Sequence, residues 1–350
     1  MSALVFCVVV PVVVMTMLAP SLQRTSPTVE NFRGARVYSG LGIVWFVWLV
    51  FFWVGAHLLG ALRIAQPAWI SYLVPLFPLI AGSCAFGLFD DWVGNHQAKG
   101  FKGHLEAMFK GVLTTGGLKF IGIGFLSLFT AISLYWNGVG SALQVISVTC
   151  VMALSANLMN LFDLRPGRAG KMYFLGLVVA LIAVGFSAAI NLAGFDLAAL
   201  ALAALGPLVA TWRFDIGERG MLGDAGANSM GAFLGYLFAT ALPLWALIIL
   251  AIGLFAVNLL SDRVSFSALV DRNRLLSAFD QLGRGGDVSL AVSGINSESG
   301  LDSDDEVLED QKRIATEQPQ YEGEQVSVNH MVELGVESPD GFDEDKDNRE

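Results

Sequence analysis

A 350-residue chain that is 54% hydrophobic and only 15% charged cannot be an ordinary water-soluble domain, because apolar runs of about 20 residues are what a bilayer requires. The net charge of −10 misleads: residues 287–350 carry 19 of the 31 acidic side chains and 4 of the 21 basic ones, which leaves a basic membrane domain followed by an acidic tail. Three widely spaced cysteines, Cys7, Cys84 and Cys150, exclude a disulfide framework or zinc site, and no nucleic-acid signature is visible.

In chain order, apolar runs fall at 2–19, 41–62, 68–88, 115–135, 141–160, 172–192, 195–211, 229–242 and 243–261, the last two abutting around Pro243. They lack strand-like alternation, and inside hydrocarbon only helices and closed barrels satisfy the backbone. The expected fold is therefore all-α: a polytopic bundle of about nine spans over residues 1–262. No basic residue precedes the first run, while Arg24, Arg33 and Arg36 follow it. That pattern predicts a retained span with its start outside rather than a cleaved signal peptide.

Alternating sides from there, the cytoplasmic loops collect Arg24, Arg33, Arg36, Lys99, Lys102, Lys110, Arg165, Arg168, Lys171, Arg213, Arg219 and Arg263, with Lys119 near the same end. Arg63 alone falls outside, the bias of the positive-inside rule. Residues 263–286 place Phe266, Leu269, Leu275, Leu276 and Phe279 among Arg272, Arg274 and Arg284. They predict a short amphipathic helix on the cytoplasmic face, closed by Gly283. The stretch 101–114 has similar character, and in both cases headgroup anchoring is the alternative. The tail 287–350 has few large apolar residues and is expected to be disordered and cytoplasmic.

Three acidic loops follow or open spans, and this topology puts all three in the cytoplasm. The first, GLFDDWVG, pairs Asp90 with Asp91; adjacent carboxylates repel unless neutralised, so they suit holding Mg2+ or accepting a proton, or else form a solvated helix end. In the second, NLMNLFD, a spacing of three sets Asn157, Asn160 and Asp163 on one helix face. Arg165, Arg168 and Lys171 follow at once and suit a diphosphate, or serve as positive-inside charges. The third, GDAGANSMG, puts Asp224 at a helix start, either as a cap or as a metal ligand beside phosphate-binding amides. Carboxylates at a bilayer boundary are functional candidates by default.

These motifs, with NFRGARVYSGLGI before the second span, resemble those of the polyprenyl-phosphate hexosamine-1-phosphate transferases, the family that includes phospho-N-acetylmuramoyl-pentapeptide transferase. The similarity covers roughly residues 20–262. It implies a bacterial inner-membrane enzyme that transfers a sugar-1-phosphate from a UDP-sugar to polyprenyl phosphate in envelope glycopolymer synthesis, with Mg2+ or Mn2+. Carried over, Asp90, Asp91 and Asp163 are catalytic, and Asp224 is the metal ligand. Asn160 belongs to the same Asn-x-x-Asp motif as Asp163; Asn157, Arg165, Arg168, Lys171, Arg33 and Arg36 are expected substrate contacts on the reading of the residues themselves. The chain departs from the family in three places. Leu164-Arg165-Pro166-Gly167-Arg168 replaces Gly-Leu-Asp-Gly-Leu, the histidine-rich final loop is missing, and the Lys-x-x-x-x-Pro region offers Arg33 and Arg36 instead. The alternatives are a catalytically silent relative that binds polyprenyl phosphate or scaffolds envelope proteins, and a transporter.

Overall fold

The computed structural model describes residues 3–32, 34, 36–62, 68–94, 100–135, 140–187, 196–261, 263–264 and 266–283. Arg33, Arg63 and the tail 287–350, for which the sequence raises expectations, lie outside the described residues.

Among those residues, eight helices are long and apolar enough to cross a membrane. A π-helical turn Leu4–Val9 runs into α1 (Val10–Thr25), and a 3-10 turn Leu41–Ile43 leads into α2 (Val44–Ala61). Helices α3 (Ala68–Leu73) and α4 (Phe77–Val93) are joined through Val74–Leu76 into one span, Trp69–Val93. After the short α5 (Gly100–Phe109) come α6 (Thr115–Tyr135), α7 (Ala142–Phe162), α8 (Arg168–Phe186) and α9 (Leu197–Asp215). The bundle closes with α10 (Gly223–Ala241) and α11 (Leu244–Ser261), and is followed by α12 (Phe266–Arg272) and α13 (Arg274–Gln281).

Eight helices rather than nine are apolar enough to span, because α10 is not. Its nineteen residues match a span in length, but glycine, alanine, serine and asparagine replace the leucine and valine of its neighbours. Nearly the whole helix is buried, sheathed mainly by α7, α4 and α8. Small residues explain the fit. A methyl group on Gly231 would sit 2.5 Å from the Ala156 Cα and 2.6 Å from the Ser155 carbonyl carbon, and one on Gly235 would sit 2.7 Å from the Met152 Cα. Glycines four apart thus bring α10 backbone-to-backbone with α7, the close approach that drives helix association where lipid offers no hydrophobic gain. Against its other side, Trp45 and Trp48 of α2 pack on Phe233 with centroids 5.7 and 5.8 Å apart.

Large apolar side chains face outward along α6 and α11, among them Phe125, Phe129, Ile249, Ile252 and Phe255. An exposed apolar belt of this kind is a lipid-facing surface. The three cysteines are free, Cys7 and Cys84 being buried.

At the end bearing the acidic loops sits a small sheet that the helical patterning of the sequence does not disclose. Strand β1 (Thr28–Glu30) pairs antiparallel with β2 (Arg36–Ser39), Glu30 standing opposite Arg36; β2 pairs parallel with β3 (Gly220–Met221), Tyr38 opposite Gly220. The sheet and the Gly42 N–H···O=C Leu222 bond of 3.0 Å tie the entry of α2 to the entry of α10.

Candidate active site

The centre is built on the start of α10. Gly223 has φ +67°, a conformation glycine adopts without strain, and a methyl group there would lie 2.5 Å from the Asp91 Oδ2. Asp91, on the last turn of α4, accepts from the amides of Asp224 (3.0 Å) and Ala225 (3.3 Å). The Asp163 carboxylate, at the C-terminal cap of α7, accepts from the Gly223 amide. The first three amides of α10 are therefore filled by carboxylates from two other helices. The sequence offers those amides to a phosphate and Asp224 as either a cap or a metal ligand; in the structure Asp91 and Asp163 cap the helix, which leaves the Asp224 side chain for other work.

That side chain meets Lys119, on the first turn of α6. The Lys119 Nζ bonds the Asp224 Oδ2 and lies 2.7 Å from the Asp90 Oδ2. Successive residues on a helix point about 100° apart, so Asp90 and Asp91 serve different neighbours: Asp90 the ammonium, Asp91 the helix start. Lys119 is the group the sequence reading missed. In sequence it counted only toward topology, yet a lysine one turn into an apolar span invites a carboxylate partner. Asp215, buried at the end of α9, is a second omission; its Oδ2 accepts from the Gly167 amide at 3.1 Å. Burial and the charges of Asp215, Asp91 and Asp224 push the Asp163 carboxyl well above its ordinary range.

Beside this centre opens a cavity of about 390 Å³ between α6, α7 and α11. Its walls are mostly apolar, including Phe120, Ile121, Leu154, Leu161, Phe255 and Leu259, while Lys119, Asn157, Asn160, Asn228 and Asn258 supply polar groups. Asn157 donates to the Asn258 Oδ1 at 2.6 Å, bridging α7 to α11. Asn228 donates to the Asp224 carbonyl at 2.7 Å. The polar stripe read from sequence thus divides, Asn157 and Asn160 lining the cavity and Asp163 turning under Gly223.

The basic loop is not brought to the aspartates. Arg165 makes a two-pronged pair with Asp271 at 2.8 and 2.7 Å. Arg168 does the same with buried Asp280 at 2.7 and 3.0 Å, and Lys171 donates to the carbonyls of Phe279 (3.1 Å) and Asp280 (2.6 Å). Arg36 stands exposed on β2.

Among the described residues, no group of three or more His, Cys, Asp or Glu is arranged around one ion position. Lys119 itself occupies the cationic place between Asp90 and Asp224. The donors there are hard carboxylate oxygens, the chemistry that suits Mg2+, and their negative charge exceeds the one ammonium. No family model matches the chain, and no curated protein matches it either.

Proposed function

We propose that this chain is a membrane phosphoglycosyl transferase, moving a sugar-1-phosphate from a nucleotide-sugar, a UDP-sugar by resemblance, to polyprenyl phosphate in the synthesis of an envelope glycopolymer. One observation carries the proposal: Lys119, flanked by Asp90 and Asp224, lines a mostly apolar cavity whose other polar groups include four asparagine side chains. A ligand matched to that shape has an anionic head and a long hydrocarbon tail. Ion paths run through the middle of spans, whereas these acids gather at one end of the bundle, which argues against transport.

In this reading the lipid chain lies between α7 and α11, and its phosphate sits near Lys119, with the amides of Asn157 and Asn160 available as donors. A phosphate oxygen of the acceptor attacks the sugar-bearing phosphorus of the donor, the bond to the bridging oxygen breaks, and the nucleoside monophosphate leaves. Charge neutralisation and positioning supply most of the catalysis of such a transfer. Lys119 offsets charge on the phosphates. Asp91 and Asp163 act as positioning residues, fixing the start of α10 and hence Asp224. Mg2+ would be held by Asp224 and Asp90, with Lys119 released to the phosphates, and would supply charge stabilisation.

Purified protein given polyprenyl phosphate, Mg2+ and a panel of nucleotide-sugars should release a nucleoside monophosphate, UMP if the donor is a UDP-sugar. No release from any donor would move the silent relative ahead. One observation favours that second reading: the three cations suited to a diphosphate already have partners within the chain.

A further inference from the structure

We infer that α12 and α13 form a self-anion clasp, in which Asp271 occupies the place of a phosphoryl group on Arg165 and is displaced when an anionic ligand binds. The inference rests on the reading of Arg165 as a diphosphate contact and adds its regulation.

Two carboxylates, each taken by a forked guanidinium, imitate a diphosphate, since carboxylate and phosphate present the same paired oxygens to an arginine. The two halves of the imitation differ in strength. Asp280 is 4% exposed, holds Arg168 through two bonds, and sits where Lys171 also donates to the last carbonyls of α13. A third bond from Arg168 reaches the Ser267 hydroxyl at 3.0 Å, and Phe266 packs on Phe162 with centroids 5.7 Å apart. Breaking a buried pair of this kind strands a charge, so this half stays shut.

Asp271 is 49% exposed and meets Arg165 alone among these cations. Water and salt weaken such a pair, and a polyphosphate brings more charge and more oxygens than one carboxylate. When Asp271 leaves, Arg165 keeps its place: the Asp280 Oδ2 lies 3.6 Å from its Nη1, and the Phe32 ring centroid lies 5.4 Å from its Cζ. The hinge is Asn273, whose extended backbone separates the helices and whose side chain accepts from the amides of Leu275 and Leu276. Its side-chain bonds belong to α13, and only its own amide reaches back to α12, at the Val270 carbonyl 3.2 Å away, so the last turn of α12 can swing about this residue while α13 keeps its cap.

The test is calorimetric titration of inorganic pyrophosphate into the full-length protein in detergent. Asp271→Asn should bind about tenfold more tightly, roughly 1.4 kcal/mol, and adding Arg165→Ala should erase the gain. A nitroxide at position 269 on α12 should gain mobility with saturating pyrophosphate, while one at position 282 should not. Unchanged affinity in Asp271→Asn, or a silent label at 269, overturns the clasp. If Arg165→Ala still weakens binding in that case, the diphosphate contact survives the loss of its regulation. If Arg165→Ala changes nothing, contact and clasp both fall, and the aspartate centre is judged separately by nucleotide release.

Discussion

At the scale of single residues, the acidic centre divides into groups that cap a helix and groups that share a lysine. Asp91 and Asp163 hold three amides at the start of α10, whereas Asp90 and Asp224 share Lys119. Asp224→Asn should therefore abolish turnover with little effect on thermal unfolding, whereas Asp91→Ala should lower both, losing about 0.5–2 kcal/mol as an interhelical cap. Nucleotide-release assays run beside melting curves separate the two outcomes; equal stability loss in both variants refutes the division. Asp90, Asp91 and Asp163, which close apolar runs, and Asp224, which opens one, were legible because an acid at a bilayer boundary stands out from its apolar surroundings. Lys119 was not, since it sits inside a run and a lone lysine reads as topology. Its partners come from α4 and α10, 29 and 105 residues away along the chain, which no local pattern reveals.

Among the elements, α7 and α10 pack backbone to backbone, and α12–α13 dock through ion pairs. Gly231→Ala should cost about 1–3 kcal/mol, because the methyl meets the α7 backbone rather than a side chain that can turn aside; denaturation in detergent measures it. The clasp gives a pH expectation. The Arg165 guanidinium, hydrogen-bonded to Asp271, holds its carboxyl below the usual range. A depressed carboxyl stabilises the closed form above its unfolded pKa of about 3.9, and that contribution is lost as pH falls through the lower folded value. Mobility of a label at position 269 should thus be flat from pH 7 to 5 and rise only below about 4. A rise already complete by pH 5 would assign the transition to another group. The spans were legible to within a few residues at most ends, because a bilayer demands long apolar helices. The sheet was not: strands of two to four residues have no period to read. Nor was the break of 263–286 into two helices, since Asn273 acts through its side-chain bonds to Leu275 and Leu276 rather than through composition.

At the scale of the whole molecule, the eight long apolar helices among the described residues make this a multi-pass membrane protein. Lysine and arginine asymmetry then predicts that an impermeant thiol reagent on intact cells labels a cysteine at position 138 and spares one at 165; the reverse pattern would sink the arrangement. Truncation after Gly286 should leave turnover in detergent nearly unchanged, since 19 acids near the site would repel phosphate-bearing substrates. A loss above about tenfold, or roughly 1.4 kcal/mol of barrier, would place the tail in the reaction. The near-complete enclosure of α10 also bears on how the chain is made. Its polar, small-residue surface is poorly suited to lipid, and α4, α7 and α8, which sheathe it, all lie earlier in the chain. During synthesis this small-residue helix thus emerges only after the helices that receive it, so the order of the genetic message doubles as an order of assembly.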